Sequence, residues 1–270
     1  MKKTKQNKII KNLPFNLFQY ILIAIGLVGC AIYLILFYIF NKEPSNDINE
    51  KINYFMPIVS VFAALTNLFC VILLALKKES NFIFGAIAVI LFAIIGYFTK
   101  NWFYVVLNGL YYLPFNILGY FQWKNNKKGS NSNELKVKKM NTNIFLSLLS
   151  GVILCGVAIS FVFYIPFVRT WLNDKSPTNE PVYWIKLILN GLVLILSVVA
   201  MQLVIRAYQE QWRFWLIANV CMLILWATNI WDGISNNNLQ YTFVSAFTLF
   251  TYTFSFANSV YGYISWKEKK

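Results

Sequence analysis

Histidine is absent from the sequence, and charged residues are scarce. The lack of histidine removes at once the commonest metal ligand, general base and proton shuttle of proteins. Only 13% of the 270 residues are charged, whereas a soluble domain usually carries about a quarter. Soluble-enzyme chemistry is therefore disfavoured, and the sequence predicts neither a cofactor nor a metal site.

Acidic residues are also few, 10 against 24 basic ones, and the basic residues lie in short segments between long apolar runs. A nucleic-acid-binding protein would instead present a basic face on a soluble fold. We therefore interpret the net charge of +14 as a signal of membrane topology. The 4 cysteines fall inside apolar runs without a CxxC pair, which disfavours disulfides and zinc sites.

Apolar residues, by contrast, make up 58% of the chain. Eight runs approach the roughly 20 residues that a membrane helix needs: 17–40, 55–76, 81–98, 102–121, 143–166, 184–205, 213–231 and 239–265. The first is too long for a signal peptide and has no small-residue cleavage site, so we expect a retained helix. The sequence predicts an all-α, multi-pass protein of the cell membrane with eight transmembrane helices.

The distribution of Lys and Arg predicts the orientation. Most of them precede the first run or follow the second, fourth, sixth and eighth, which places both termini in the cytoplasm. We divide the chain into a basic N-terminus with an extra helix and external loop (1–53), a first three-helix repeat (54–123), a cytoplasmic linker with a connecting helix and external loop (124–183), and a second repeat with a basic tail (184–270). The stretch 124–141 is Asn-, Ser- and Lys-rich, and we expect it to be solvated.

Two parts of the chain resemble each other. With Glu79 aligned to Glu210, the two helices on either side of each acid align without a gap, and Leu118–Trp123 matches Tyr261–Trp266 as a Gly-aromatic-x-x-Trp ending. Because one helix separates them, the two triplets would run in the same direction and give a 3+1+3 core. Transporters with such parallel repeats bind substrate near the midplane, between the repeats. The alternative is that two amphipathic hairpins look alike by chance.

One helix face in the second repeat has the composition of a binding site. At 100° per residue, Trp212, Trp215 and Asn219 share a face, and Trp226 continues it. Aromatic rings beside an amide suit a flat, polar ring, including a cationic one. The alternative is a belt of tryptophans at the membrane interface, of which Trp123 would be a member.

The pattern Glu-x-Trp-x-x-Trp-x-x-x-Asn at Glu210–Asn219 resembles the signature of the PnuC family of vitamin transporters. Two further stretches, Leu107–Trp123 and Asn258–Trp266, resemble the fourth and last helices of that family, so the likeness covers roughly residues 55–266. The resemblance implies a fold related to the sugar-transporting SWEET proteins. It also implies facilitated diffusion of nicotinamide riboside, trapping by cytosolic phosphorylation and a role in supplying NAD biosynthesis.

The resemblance also implies which residues line the substrate site: Trp212, Trp215 and Asn219. Asn116 replaces the glutamine found three residues before the glycine in the family, and we expect Asn258 to contribute from the last helix. In the sequence alignment the first repeat has only Asn81, Phe84 and Ala88 opposite those three residues. A central cavity should therefore bind substrate asymmetrically, held mainly by the second repeat, with Trp226 on the same face. Relatives carry thiamine or deoxynucleosides, so these substrates remain open.

Glu79 and Glu210 each start a helix that enters from the cytoplasm, where a carboxylate stabilises the helix dipole; gating is the alternative role. No acid lies in the middle of a run, so we predict a uniporter. A membrane-embedded enzyme would need a nucleophile–base pair or a metal cluster, and the sequence offers neither. A structural or assembly protein would have no use for a polar-lined aromatic face. Ion coupling and the existence of a homo-oligomer stay open.

Overall fold

The computed structural model describes residues 16–40, 48–98, 101–128, 135–172, 181–237 and 239–267. The described residues are almost entirely helical. Eight of the helices are continuous: α1 Leu17–Phe40, α2 Ile48–Ala75, α3 Asn81–Phe98, α5 Thr142–Tyr164, α6 Pro166–Leu172, α7 Pro181–Ile205, α8 Gln211–Ser235 and α9 Leu239–Trp266. Helix α4 is composite: Trp102–Val106 continues through a π-helical segment, Leu107–Tyr112, into Leu113–Lys128.

Six of the described helices are long and apolar enough to cross a membrane: α1, α2, α3, α5, α7 and α8. Their outward surfaces carry large apolar side chains, such as Leu154 on α5, which is 70% exposed. In water such a surface would aggregate, whereas a bilayer solvates it. The protein is therefore a multi-pass membrane protein, and the predicted short seventh run is the longer helix α8.

The α2–α3 and α7–α8 connections have the same backbone. In each, a residue with φ of 58° closes the preceding helix, Lys77 in the first and Ala207 in the second. In each, that residue and the next donate their N–H groups back to the last turn of the helix, the pattern of a Schellman cap. The turns thus correspond residue for residue, with Lys77 opposite Ala207.

This correspondence corrects the alignment made from the sequence. Counting from the capping residues, Glu79 lies opposite Gln209 rather than Glu210, so the sequence alignment was wrong by one residue at these turns. Phe82 then corresponds to Trp212, and Gly85 to Trp215. Glu79 and Glu210 suggested the wrong register because both are acidic. Glycines at the two capping positions would have indicated the correct register, but these positions hold Lys77 and Ala207.

Part of the linker between α4 and α5 packs against the helices, contrary to the solvated segment expected for 124–141. Helix α4 continues to Lys128. Beyond it, Lys138 N–H donates to Ala207 O (2.8 Å), and Gln209 N–H donates to Lys138 O (2.9 Å). Leu135 is 7% exposed and packs into a core cluster with Trp123, Trp212 and Trp266. The alternation of apolar Leu135 and Val137 with lysines gives this strap, residues 135–140, its buried side.

Helix α1 contacts α2 and α9. Tyr33 stacks on Phe247 with ring centroids 4.0 Å apart. At the start of α1, Asn16 Nδ2 donates to Tyr261 Oη, and Phe18 stacks on the same ring at 5.4 Å. Helix α1 therefore covers the line along which α2 meets α9.

Candidate functional site

The inward face of α8 carries Trp215, Asn219 and Trp226. Asn219 is 5% exposed, and its Nδ2 donates to Ser259 Oγ on α9 at 3.0 Å. Ser259 Oγ in turn donates to Ser255 O at 2.8 Å. The indole nitrogens of Trp215 and Trp226 are buried, and among the described residues neither has a hydrogen-bond partner. The indole nitrogen of Trp212 on the same helix is likewise buried without a partner among the described residues, so α8 carries three such indole donors and a buried amide.

Trp212 lies one turn closer to the start of α8, in a ladder of aromatic rings. The ring of Trp212 meets that of Trp266 edge to face at 5.8 Å. Trp266 lies 5.9 Å from Trp123, which meets Phe82 at 5.0 Å. Gly262 leaves room for Trp212, since a Cβ there would overlap its ring. Trp212 is only 1% exposed, so in this structure its ring faces other rings.

Trp123 does not belong to an interfacial belt. Its side chain is fully buried, 0% exposed, and its Nε1–H donates to Val204 O at 2.9 Å. The expectation from the sequence was wrong because a Trp at the end of a helix looks the same whether it faces headgroups or a neighbouring helix. Here α7 supplies a main-chain acceptor.

Asn116 and Asn258 lie in different environments. Asn116 Nδ2 donates to Tyr112 O within α4 at 2.8 Å, and its Oδ1 occupies the space beside Gly85. Asn258 Nδ2 donates across to Val71 O on α2 at 2.7 Å, while its Oδ1 has no hydrogen-bond partner among the described residues. Both amides are buried. Asn258 therefore joins α9 to α2, while Asn116 stays within its own triplet.

Interior tyrosines on α4 are the functional candidates that sequence reasoning missed. Tyr111 Oη donates to Val198 O at 2.9 Å and accepts from Gln202 Nε2 at 3.1 Å. Tyr112 Oη donates to Ser197 Oγ at 2.9 Å. Both lie in the π-helical segment, which precedes Pro114, a residue that cannot donate to the helix ladder. Such π-helical segments recur at functional sites. In the sequence, Pro114 was the feature that could have indicated an irregular helix here.

Glu79 and Glu210 differ in environment. Glu79 forms a partly exposed ion pair with Lys127 on α4. Burial raises the pKa of Glu79, but the hydrogen bond and charge of Lys127 outweigh it and hold the pKa below 4.5. Glu210 is 3% exposed and makes no capping hydrogen bond to α8. Its Oε1 accepts from Gln209 Nε2 at 3.2 Å, and its Oε2 is buried without a partner among the described residues.

Two surface grooves lie away from these residues. One, of about 290 Å³, runs between α3 and α4 and is lined by apolar side chains such as Ile90 and Ile94. The other, of about 740 Å³, runs between α5 and α7 past Ser147 and Gly151. Neither groove is lined by a residue of the predicted site, and both open outward between helices.

The known proteins that resemble this chain are transporters of one kind. The sequence model of a family described as nicotinamide mononucleotide transporter matches residues 57–268. The nicotinamide riboside transporter PnuC of Neisseria mucosa is 30% identical over 207 residues, covering 76% of this chain and 70% of the relative. The Escherichia coli protein of the same name is 27% identical over 207 residues, covering 71% of this chain and 82% of the relative. A crystal structure of the vitamin B3 transporter PnuC is 25% identical, with a TM-score of 0.60 over 93% of this chain and 91% of that one.

Proposed function

Because this chain belongs to the nicotinamide mononucleotide transporter family, and its relatives are transporters rather than enzymes, we propose that it carries nicotinamide riboside across the cell membrane. The family description names the mononucleotide and the relatives are named for the riboside. The two molecules differ by a phosphate, which proteins bind with Arg, Lys or helix N-termini. The buried polar side chains of the described residues are amides, hydroxyls and Glu210, with no Lys or Arg among them. This composition is the observation that favours the riboside.

The proposed site lies between the two triplets, with the second triplet supplying most contacts. Trp215 stacks on the pyridinium ring, since a cation over an indole face is stabilised. Asn219 binds the carboxamide, and Trp226 extends the same wall toward the outside. Trp212 forms the cytoplasmic end of this face, held in place by Trp266.

Asn116 and Asn258 complete the site from α4 and α9. The unpartnered Oδ1 of Asn258 is a buried acceptor, suited to a ribose hydroxyl or an amide N–H. Burying a polar atom without a partner costs about 1–3 kcal/mol, so a ligand that supplies a donor there gains affinity. The Tyr112 hydroxyl, held by Ser197, is a further candidate for the ribose.

Transport is passive in this proposal. Coupling to protons usually places a carboxylate or histidine within the span, and the chain has no histidine. Of the described acids, Glu79 and Asp232 are paired with Lys127 and Lys186 near helix ends. Glu210 lies in the α7–α8 turn. The riboside would equilibrate by uniport and be trapped inside the cell by phosphorylation.

The proposed topology has eight spans with both termini inside. Helices α4 and α9 then cross as well, although Tyr and Asn residues in both, and Ser and Thr residues in α9, lower their hydropathy. Helix α9 has 28 residues, about 40 Å of helix against roughly 30 Å of hydrocarbon. Triplets α2–α4 and α7–α9, joined by α5, form the parallel repeats. The matching Schellman turns at Lys77 and Ala207 support this, as does the matching pair of glycines, Gly119 beside Phe82 and Gly262 beside Trp212.

Uptake into liposomes tests the proposal. Purified protein in vesicles should take up labelled nicotinamide riboside to equilibrium, and an uncoupler should leave the rate unchanged. Nicotinamide mononucleotide, thiamine and a deoxynucleoside are the comparison substrates. Preferred uptake of thiamine or a deoxynucleoside would overturn the substrate, and accumulation above equilibrium that an uncoupler abolishes would overturn uniport. The size of the purified particle would show whether the protein is a homo-oligomer.

A further inference from the structure

Each triplet ends in a tryptophan that reaches into the other triplet. Trp123, near the end of α4, donates its Nε1–H to Val204 O in the last turn of α7 at 2.9 Å. Trp266, at the end of α9, donates its Nε1–H to Ala75 O, the last residue of α2, at 3.2 Å. The two hydrogen bonds are therefore reciprocal, and both cross between the triplets at the same end of the bundle.

The two indoles also contact one another. Their ring centroids are 5.9 Å apart. Each ring also meets, edge to face, the first aromatic residue of its own triplet's middle helix: Trp123 meets Phe82, and Trp266 meets Trp212. All four rings are at most 1% exposed. Lys77 lies over Trp266, 5.6 Å from the ring centroid. These rings close the bundle between the Lys-rich turns and the polar residues of α8 and α9.

We propose that Trp123 and Trp266 form the cytoplasmic gate of the transporter, and that the structure shows this gate closed. The proposal rests on the proposed function, since it assigns these residues to the path by which substrate reaches the cytosol. Moving one triplet away from the other at this end breaks both indole hydrogen bonds and parts the two rings. The pair thus holds the triplets together only in the inward-closed arrangement.

A purely structural role makes a different prediction. If the indoles were static anchors, removing their N–H groups would lower stability without changing access from the cytoplasm. If they form a gate, removing a donor weakens one arrangement relative to the other. A hydrogen bond in a protein is worth enough to change an equilibrium between about twofold and tenfold. The population open to the cytoplasm should increase by that factor.

Thiol labelling distinguishes the two roles without requiring a substrate. Ser259, 5% exposed and bonded to Asn219, is replaced by cysteine in a variant whose four native cysteines are alanine. Trp123→Phe, Trp266→Phe and the double variant are compared in inside-out vesicles with a charged, membrane-impermeant methanethiosulfonate. Trp231→Phe is the matched control, because Trp231 is 70% exposed on α8.

Each single variant should be labelled about two- to tenfold faster than the parent, the double variant faster still, and the Trp231→Phe control at the parental rate. Folded variants labelled no faster than the parent would overturn the gate. Because labelling needs no substrate, this outcome is independent of whether nicotinamide riboside is the right one.

A second experiment keeps both tryptophans. Ser265 Oγ lies 3.4 Å from Ala75 O, so cysteines at Ala75 and Ser265 in the cysteine-free variant stand on the two sides of the same contact. A bifunctional methanethiosulfonate joins them without the geometry that a direct disulfide demands. Bridging should stop riboside uptake, and reduction should restore it. Full uptake by the bridged protein would overturn the gate, and either cysteine variant alone controls for the reagent.

Discussion

The two three-helix units have nearly the same backbone at the turn between their first and second helices but different side chains along their inner faces. In each, an αL residue caps the first helix, and an aromatic ring packs on a glycine of the third, Phe82 on Gly119 and Trp212 on Gly262. Each ends in a Trp that donates to a carbonyl of the other unit. The shared residues are those that join the two units at one end of the bundle, and we assign them to the fold and to the proposed gate.

The units differ one turn further along the middle helix. In the first, Gly85 leaves space that the Asn116 amide fills. In the second, the corresponding position is Trp215, and the position corresponding to Asn116 is the small Ser259, which accepts from Asn219. At this level the larger side chain lies on the third helix in the first unit and on the middle helix in the second. In the proposed site, a flat ring would meet the Trp215 indole on one side and the Asn116 amide on the other, so the two units would contribute unequally.

The largest expected effect concerns the shared ladder. Trp212→Ala and Phe82→Ala should each destabilise the protein by about 3–5 kcal/mol, as large aromatic truncations in a core do, because both rings are fully buried. Thermal unfolding in detergent measures this, with the exposed Trp231→Ala as control. Unchanged stability of folded Trp212→Ala would contradict the place of this ring in the ladder.

The second prediction concerns the strap, which covers the α7–α8 turn. Leu135→Ala should cost about 2 kcal/mol, the low end for a buried leucine, because the strap can settle into part of the gap. The same thermal measurement applies, with Leu110→Ala as control since Leu110 is 75% exposed. Equal stability of the two variants would mean that the strap contributes nothing to the closed end.

Because the large and small residues are interchanged between the two units, a second substitution should restore the stability lost to the first. Gly85→Ala places a methyl group against the Asn116 amide and should destabilise the protein by roughly 1–2 kcal/mol, as overpacking does. Adding Asn116→Ser, the residue of the other unit, should recover most of that loss. Additive losses in the double variant would contradict the proposed exchange.

The smallest effect concerns the α2–α3 turn. The strap contacts the α7–α8 turn, whereas the α2–α3 turn is joined to α4 by the Glu79–Lys127 ion pair. Because the pair is partly exposed, Glu79→Gln should cost no more than about 1 kcal/mol, and less at high salt. The ion pair lowers the pKa of Glu79 from its ordinary value, so the contribution is present above the ordinary glutamate pKa and is lost as the pH falls through the lowered one. A loss larger at pH 4 than at pH 7 would have the wrong sign.

Much of the architecture could be predicted from the sequence because lipid imposes simple patterns. Six of the eight apolar runs correspond to described helices that are long and apolar enough to cross. The matching Gly-aromatic-x-x-Trp endings pointed to residues that do occupy matching positions, Trp123 and Trp266. The face with Trp212, Trp215, Asn219 and Trp226 was visible as helical periodicity. In the structure Asn219 and the three indole nitrogens are buried, and their role in binding stays a prediction.

The rest depended on tertiary contacts. The register of the two units is set by αL caps at Lys77 and Ala207, residue types that rarely adopt this conformation. The strap is stabilised by backbone hydrogen bonds to the α7–α8 turn, which no side-chain pattern announces. Trp123 looked like an interfacial residue because the carbonyl that accepts from it lies far away in the sequence, on α7.

Riboside affinity in detergent tests most directly whether the second unit carries the binding. Calorimetric titration of Trp215→Ala should show a loss of roughly 0.5–2 kcal/mol, up to about thirtyfold. Asn219→Ala should lose about 1–3 kcal/mol for its missing amide, and Val89→Ala, at the corresponding position of the first unit, should bind like the parent. If Trp215→Ala and Asn219→Ala were folded and bound the riboside with parental affinity, the site would lie elsewhere and the asymmetry of the two units would have no part in binding.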